Sequence, residues 1–257
     1  MRRRLRLIGI GPGGPDDLTV AAVRALNDVD VFLVADKQRG VDDLVAVREE
    51  ICRRHIAGDY RTIPVPDPPR DRAPSAYRTE VRDWHAARAA AYETVLREQV
   101  AEHETAGFLV WGDPSLYDST IRVVERIRDR GVLDVDYDVI PGVSSVSLLA
   151  ARHRLVLNRI GGPIVVTTGR RLAQEVAAGG DNLVVMLDGA LECARLEGDW
   201  RIWWGADLGT SDEELVAGPL REVLPDIERA RGRAKAARGW VMDTYLLRRA
   251  DGDGVVS

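Results

Sequence analysis

Short apolar runs alternate with glycine or proline stops along most of the chain. Leu5–Ile10 is apolar and halts at Gly11-Pro12-Gly13-Gly14, which predicts a first β-strand running into a turn. A helical pattern from about Leu18 to Asn27 follows, then the apolar run Val31-Phe32-Leu33-Val34, completing a strand–helix–strand unit. Pro64, Pro66, Pro68 and Pro69 interrupt any helical period and predict an extended loop over 62–72. Beyond it, Trp84, Ala87, Ala91, Val95, Leu96 and Val100 recur at helical steps and predict a long helix with one buried face. Phe108–Trp111 predicts a buried strand ending at Gly112-Asp113-Pro114. Ile121, Val124 and Ile127 give the next helix its stripe, and Tyr137–Ile140 a strand that stops at Pro141-Gly142.

After His153 the texture changes. Asn158–Pro163 has the composition of a linker, and short strands then alternate with short helices. The strand candidates are Ile164–Thr168, Leu183–Leu187, Ile202–Trp204 and Trp240–Leu247. The expectation is therefore an α/β protein of two domains, 1–152 and 163–250, joined by 153–162, with a frayed tail from Asp251.

The 257 residues, 45% hydrophobic and 30% charged, suit a folded chain with a sizeable core. A net charge of -5 argues against nucleic acid as the partner, because binding phosphates needs a basic surface. No stretch approaches the roughly 20 apolar residues that span a bilayer, so no membrane crossing is expected. Cys52 and Cys193 have neither disulfide-framework nor zinc spacing, and His55, His85, His103 and His153 lack ligand spacing, so no metal is expected and a cytoplasmic setting fits.

Gly9-Ile10-Gly11-Pro12-Gly13-Gly14 satisfies the dinucleotide GxGxxG pattern, and Asp36 supplies the acid expected after the second strand. Against a pyrophosphate stand Asp16 and Asp17, expected in the first helical turn, where like charges repel. A cationic sulfonium meets no such objection, which favours S-adenosylmethionine (SAM) over NAD. Trp111–Tyr117 and Pro141–Ser145 place two more turns at strand ends, with Ser144 expected to cap the helix that follows. Ser144 is no nucleophile elbow, since Gly142–Val146 lacks the second glycine.

With the first turn closing at Leu18-Thr19, these three turns in this order resemble the tetrapyrrole methylase family. Thr167–Arg171, Val185–Gly189, Gly205–Thr210 and Gly239–Arg249 extend the likeness over nearly the whole chain, and they resemble members acting on precorrin-5. The resemblance implies two αβα domains with a ligand cleft between them and a homodimer. It also implies conversion of precorrin-5, SAM and water to precorrin-6A, S-adenosylhomocysteine and acetate, with methylation at ring carbon 1. SAM would meet Pro12, Gly112, Asp113, Leu116, Ser144, Ser145, Met186, Leu187 and Ala206. Asp113, Tyr117, Asp243 and Tyr245 are the candidates for assisting acetate loss, and Arg170, Arg171, Arg248, Arg249 and Arg72 for pairing with substrate carboxylates. The alternatives are a methylase of another precorrin position, an NAD-dependent oxidoreductase and a ligand-binding module without turnover.

Overall fold

The computed structural model describes residues 2–36, 42–68 and 77–250, which form two compact units, 1–144 and 145–257. Arg72 and the tail from Asp251 lie outside the described residues.

The first unit runs β1 (Arg2–Gly9), α1 (Val20–Asn27), β2 (Val31–Asp36), α2 (Asp42–His55), β3 (Arg61–Pro66), α3 (Tyr77–Glu98), β4 (Thr105–Val110), α4 (Thr120–Arg130) and β5 (Asp134–Ile140). Its sheet is wholly parallel, in the order β3-β2-β4-β1-β5. Period two along β1 sends Leu5 and Leu7 to one face and Ile8 to the other. On the Leu5 face α3 and α4 bury Tyr92, Val95, Leu96, Val124 and Ile127. On the Ile8 face α1 and α2 bury Ala22, Leu26, Ile51 and Cys52. Both faces are covered, as an all-parallel sheet requires.

The prolines of 62–72 do not exclude a strand. Pro64 and Pro66 stand in β3, opposite Val34 and Asp36, and β3 is an edge strand. Residues two apart aim their N–H groups the same way, so both missing donors fall on the open side while Ile63 and Val65 face the core.

The second unit contains α5 (Ser145–His153), β6 (Val165–Thr168), α6 (Gly169–Ala177), β7 (Asn182–Met186), a short 3-10 helix (Glu192–Arg195), β8 (Trp200–Ala206), β9 (Glu214–Pro219), α7 (Leu220–Arg238) and β10 (Asp243–Arg249). Residues 153–162, expected as a linker, lie within this unit. Its mixed sheet has the order β6-β7-β10-β8-β9, with only β6 and β7 parallel. The core joins Leu172 of α6 and Leu220, Ile227 and Ala230 of α7 to Leu183, Ile202, Trp204, Tyr245 and Leu247. The expectation of short helices fails for α7, whose 19 residues carry so many charges that its buried stripe is hidden among them. β9 was likewise absent from the predicted strands.

Candidate functional site

In the first unit the three glycine turns meet. β1 lies between β4 and β5, so the turns after these strands emerge side by side at the carboxyl edge, where open α/β sheets bind ligands. Gly11 and Gly112 pair through Gly11 N to Gly112 O at 3.3 Å and Gly112 N to Gly11 O at 2.8 Å. Asp113 ties the second turn to the third. Its Oδ1 accepts from the Ser115 backbone N–H at 2.8 Å and from the Ser115 hydroxyl, and its Oδ2 accepts from Gly142 N at 2.9 Å. The Thr19 hydroxyl caps α1, accepting from Ala22 N at 3.0 Å, and donates to the Pro141 carbonyl at 3.2 Å. Pro12 and Gly112 are buried within this junction, Leu116 and Ser144 are half-buried, and Tyr117 is 45% exposed in a left-handed conformation at φ 53°. Burial would raise the Asp113 carboxyl, but the bonds from Ser115 and Gly142 outweigh it and hold the group below the usual carboxylate range.

Two details of the dinucleotide question change. α1 starts at Val20 behind its Thr19 cap, so Asp16 and Asp17 precede the helix instead of occupying its first turn, and Asp16 pairs with Arg54 at 2.7 Å. The turn therefore does not open directly into a helix N-terminus, the geometry that a pyrophosphate uses. The three turns, 9–18, 111–119 and 141–144, carry Asp16, Asp17, Asp113 and Asp118 and no Lys, Arg or His. That donor set fits a cationic nucleoside ligand such as SAM and is poorly matched to phosphate.

In the second unit the expected residues divide between two ends of the sheet. Thr244 stands opposite Met186, Asp243 opposite Ala206 and Thr168 opposite Met186, so Met186, Ala206, Asp243 and the start of α6 with Arg170 and Arg171 share one end. Ser145 is there too, its hydroxyl 3.0 Å from that of Thr244. Arg248 is opposite Asn182, four residues along β10 from Thr244, or about 13 Å at the rise of a strand. It bonds Asn182 Oδ1 and the Leu157 carbonyl and covers the Trp203 ring, so the structure does not bring it to Arg170 and Arg171. Arg249 stacks on Trp200 at that same far end. Arg171 pairs with Glu175 on the surface at 2.9 Å, and Arg170 is exposed.

Asp243 and Tyr245 are buried within a polar network. Arg231 of α7 pairs with Asp243, which also accepts from Trp204 Nε1 at 3.0 Å. The Tyr245 hydroxyl donates to Asp188 Oδ2 at 2.5 Å. Burial disfavours the ionised forms and raises the pKa of both Asp243 and Tyr245 above their ordinary ranges. Leu187, next to this network, is 64% exposed with φ 54°. Arg231, Asp188 and Trp204 were not among the sequence candidates. The signal for Arg231 was its place on the buried stripe of α7, four residues after Ile227.

Among the described residues no group of three or more His, Cys, Asp or Glu side chains is arranged to hold a metal, and no helix is long and apolar enough to cross a membrane.

The model of the Tetrapyrrole (Corrin/Porphyrin) Methylases matches residues 4–224. The chain is 45% identical over 249 residues to a precorrin-6A synthase [deacetylating] from Sinorhizobium sp, covering 96% of this chain and 95% of that protein. Among solved structures it is similar to a cobalamin synthesis related protein (CobF) from Corynebacterium diphtheriae, with a TM-score of 0.81, 37% identity and coverage of 98% of this chain and 100% of that one. It also shares its fold with a uroporphyrin-III C-methyl transferase from Thermus thermophilus complexed with S-adenosyl homocysteine, with a TM-score of 0.55, 20% identity and coverage of 95% and 97%.

Proposed function

The chain belongs to the tetrapyrrole (corrin/porphyrin) methylases, and from that premise we propose that it is a SAM-dependent precorrin-6A synthase of the deacetylating kind. The observation that carries this reading is the 45% identity to a protein of that name over nearly the full length of both chains. The three turns, which carry four aspartates and no basic residue of their own, support SAM as the methyl donor. SAM supplies an electrophilic methyl group on a sulfonium. The proposed acceptor is ring carbon 1 of precorrin-5, and water then releases the two-carbon fragment as acetate.

On this reading the protein's main contribution is position, since bringing methyl and pyrrolic carbon into line removes much of the barrier. In the first unit Pro12, Gly112, Asp113, Leu116 and Ser144 are the proposed SAM contacts; in the second, Ser145, Met186, Leu187 and Ala206. Tyr117, exposed on its turn, and Asp113 are the proposed groups assisting acetate loss. Asp243 and Tyr245, enclosed in their network, are assigned to holding the turns in place. Arg170 and Arg171 are the proposed partners of substrate carboxylates. The proposal extends to a homodimer acting in the cytoplasm. Two buried cysteines with free thiols support the reducing compartment, and exposed Val156 and Ile160 support a covered surface.

The test is anaerobic incubation with SAM and precorrin-5, following the tetrapyrrole by mass spectrometry and acetate in the same sample. Precorrin-6A and acetate are expected in equal amounts. Binding of SAM with precorrin-5 left unchanged, and another precorrin methylated instead, would reject this acceptor.

A further inference from the structure

We propose that Arg231 is a positioning residue for the cofactor: from the buried side of the second unit it sets the conformation of the turn that presents Met186 and Leu187. This deepens the SAM-binding reading above and rests on it.

The turn after β7 holds two non-glycine residues in the left-handed region, Leu187 at φ 54° and Leu191 at φ 56°. Such residues are strained and persist only where the surroundings over-determine them. Here the surroundings are the Arg231 network. The guanidinium is 5% exposed and its partner carboxylate on Asp243 is 3% exposed. While one nitrogen pairs with Asp243, Nη2 donates to the carbonyls of Asp188 and Gly189, 3.0 Å each, the two residues that directly follow Leu187. The Asp188 carboxylate accepts from Tyr245 at 2.5 Å and from Glu192 N at 2.7 Å, closing the turn at its other end.

The same network reaches the end of β8. Asp243 accepts from Trp204 Nε1 at 3.0 Å, and Asp207 N donates to the Met242 carbonyl at 2.9 Å, which fixes the residues on either side of Gly205-Ala206. One guanidinium thus connects the ends of β7 and β8, where Met186, Leu187 and Ala206 stand, to the start of β10. A planar fork with several donors can do this, whereas a lysine ammonium cannot pair with a carboxylate and two carbonyls in one plane.

The single variant Arg231→Met strands the Asp243 charge and risks unfolding. Two milder variants avoid this. Arg231→Gln with Asp243→Asn keeps an acceptor for Trp204 and removes the Arg231–Asp243 ion pair as a unit, while the buried Asp188 carboxylate keeps its bonds from Tyr245 and Glu192 N, but the shorter glutamine amide does not reach the Asp188 and Gly189 carbonyls. Tyr245→Phe removes the hydroxyl's bond to Asp188 together with its contact with the Cys193 thiol, and leaves the Arg231–Asp243 pair intact. SAM titration calorimetry, steady-state kinetics and hydrogen exchange are measured on these and on the wild type. The expected result for the double variant is a SAM Kd raised about 10-fold or more, the loss of one to two charge-assisted bonds' worth of preorganisation. Its KM for precorrin-5 at saturating SAM should stay within about twofold, and exchange should quicken at 187–192 alone. Tyr245→Phe should move in the same direction by less.

A folded double variant that binds SAM like the wild type, with 187–192 still protected, overturns the assignment of Arg231. Wild-type protein that does not bind SAM overturns the reading beneath it, and the assignment with it.

Discussion

Gly142→Ala is expected to abolish methyl transfer and to destabilise the first unit by about 3 kcal/mol, the upper end of what overpacking costs. A Cβ on Gly142 would lie 2.1 Å from the Gly112 carbonyl oxygen and 2.8 Å from the Gly9 backbone. Every colliding atom is main chain, so no side chain can rotate aside. The strands would have to separate at the junction where the turns after β1, β4 and β5 meet. Gly9→Ala meets the same obstacle from the opposite direction, 2.5 Å from Gly142 N. The control is Gly58→Ala, where an added Cβ has nothing within 4 Å. Urea unfolding should show a lowered midpoint with unchanged slope for Gly142→Ala and Gly9→Ala, and little change for Gly58→Ala. If Gly142→Ala kept wild-type stability and turnover, the three turns would not be interlocked as described.

That junction was legible in the sequence as three separate signals, each a glycine at the end of an apolar run. Their convergence was not, because it depends on strand order. Only with β1 between β4 and β5 do the turns touch, and the pairing partners of β1 begin about 100 and 130 residues away along the chain. Pro64 and Pro66 misled for a related reason. A proline rules out a central strand but not an edge strand, and which strand lies at the edge is again a property of the whole sheet.

The second unit was less legible, and its polar residues show why. Arg231 belongs to a run rich in arginine and lysine, which by local composition is a solvated helix face. Its burial comes from Asp243, Asp188 and Gly189, supplied by other elements. Arg248 presents the opposite case. It adjoins a motif-bearing segment in sequence, but a strand carries residues steadily away from one end of the sheet, and four residues suffice to remove it from Met186. Asp243 and Tyr245 were named from the sequence as candidates for assisting acetate loss. Their enclosure among Trp204, Arg231 and Asp188 supports a supporting role, and that too depends on partners distant in sequence.

Asp113→Ala should leave the fold standing and cut kcat/KM for SAM by about 100-fold, equivalent to roughly 3 kcal/mol. The two oxygens of Asp113 serve two turns, Oδ1 toward Ser115 and Oδ2 toward Gly142. Alanine leaves the Gly142 N–H without this acceptor and lets the second and third turns move independently, while the sheet beneath keeps its ladders. Asp113→Asn should fall between, because a carboxamide offers one oxygen and its NH2 group faces a donor on the other side. Acid provides a second check. Since the folded carboxyl is held below its ordinary value, its contribution to stability is complete above the unfolded pKa of about 4 and is lost as pH falls through the lower folded value. The stability gap between wild type and Asp113→Ala, from urea unfolding, should therefore be widest near neutrality and close below about pH 4. A gap that persisted in acid would mean that the carboxylate charge does not hold these turns together, and a variant with unchanged SAM kinetics would remove Asp113 from the site.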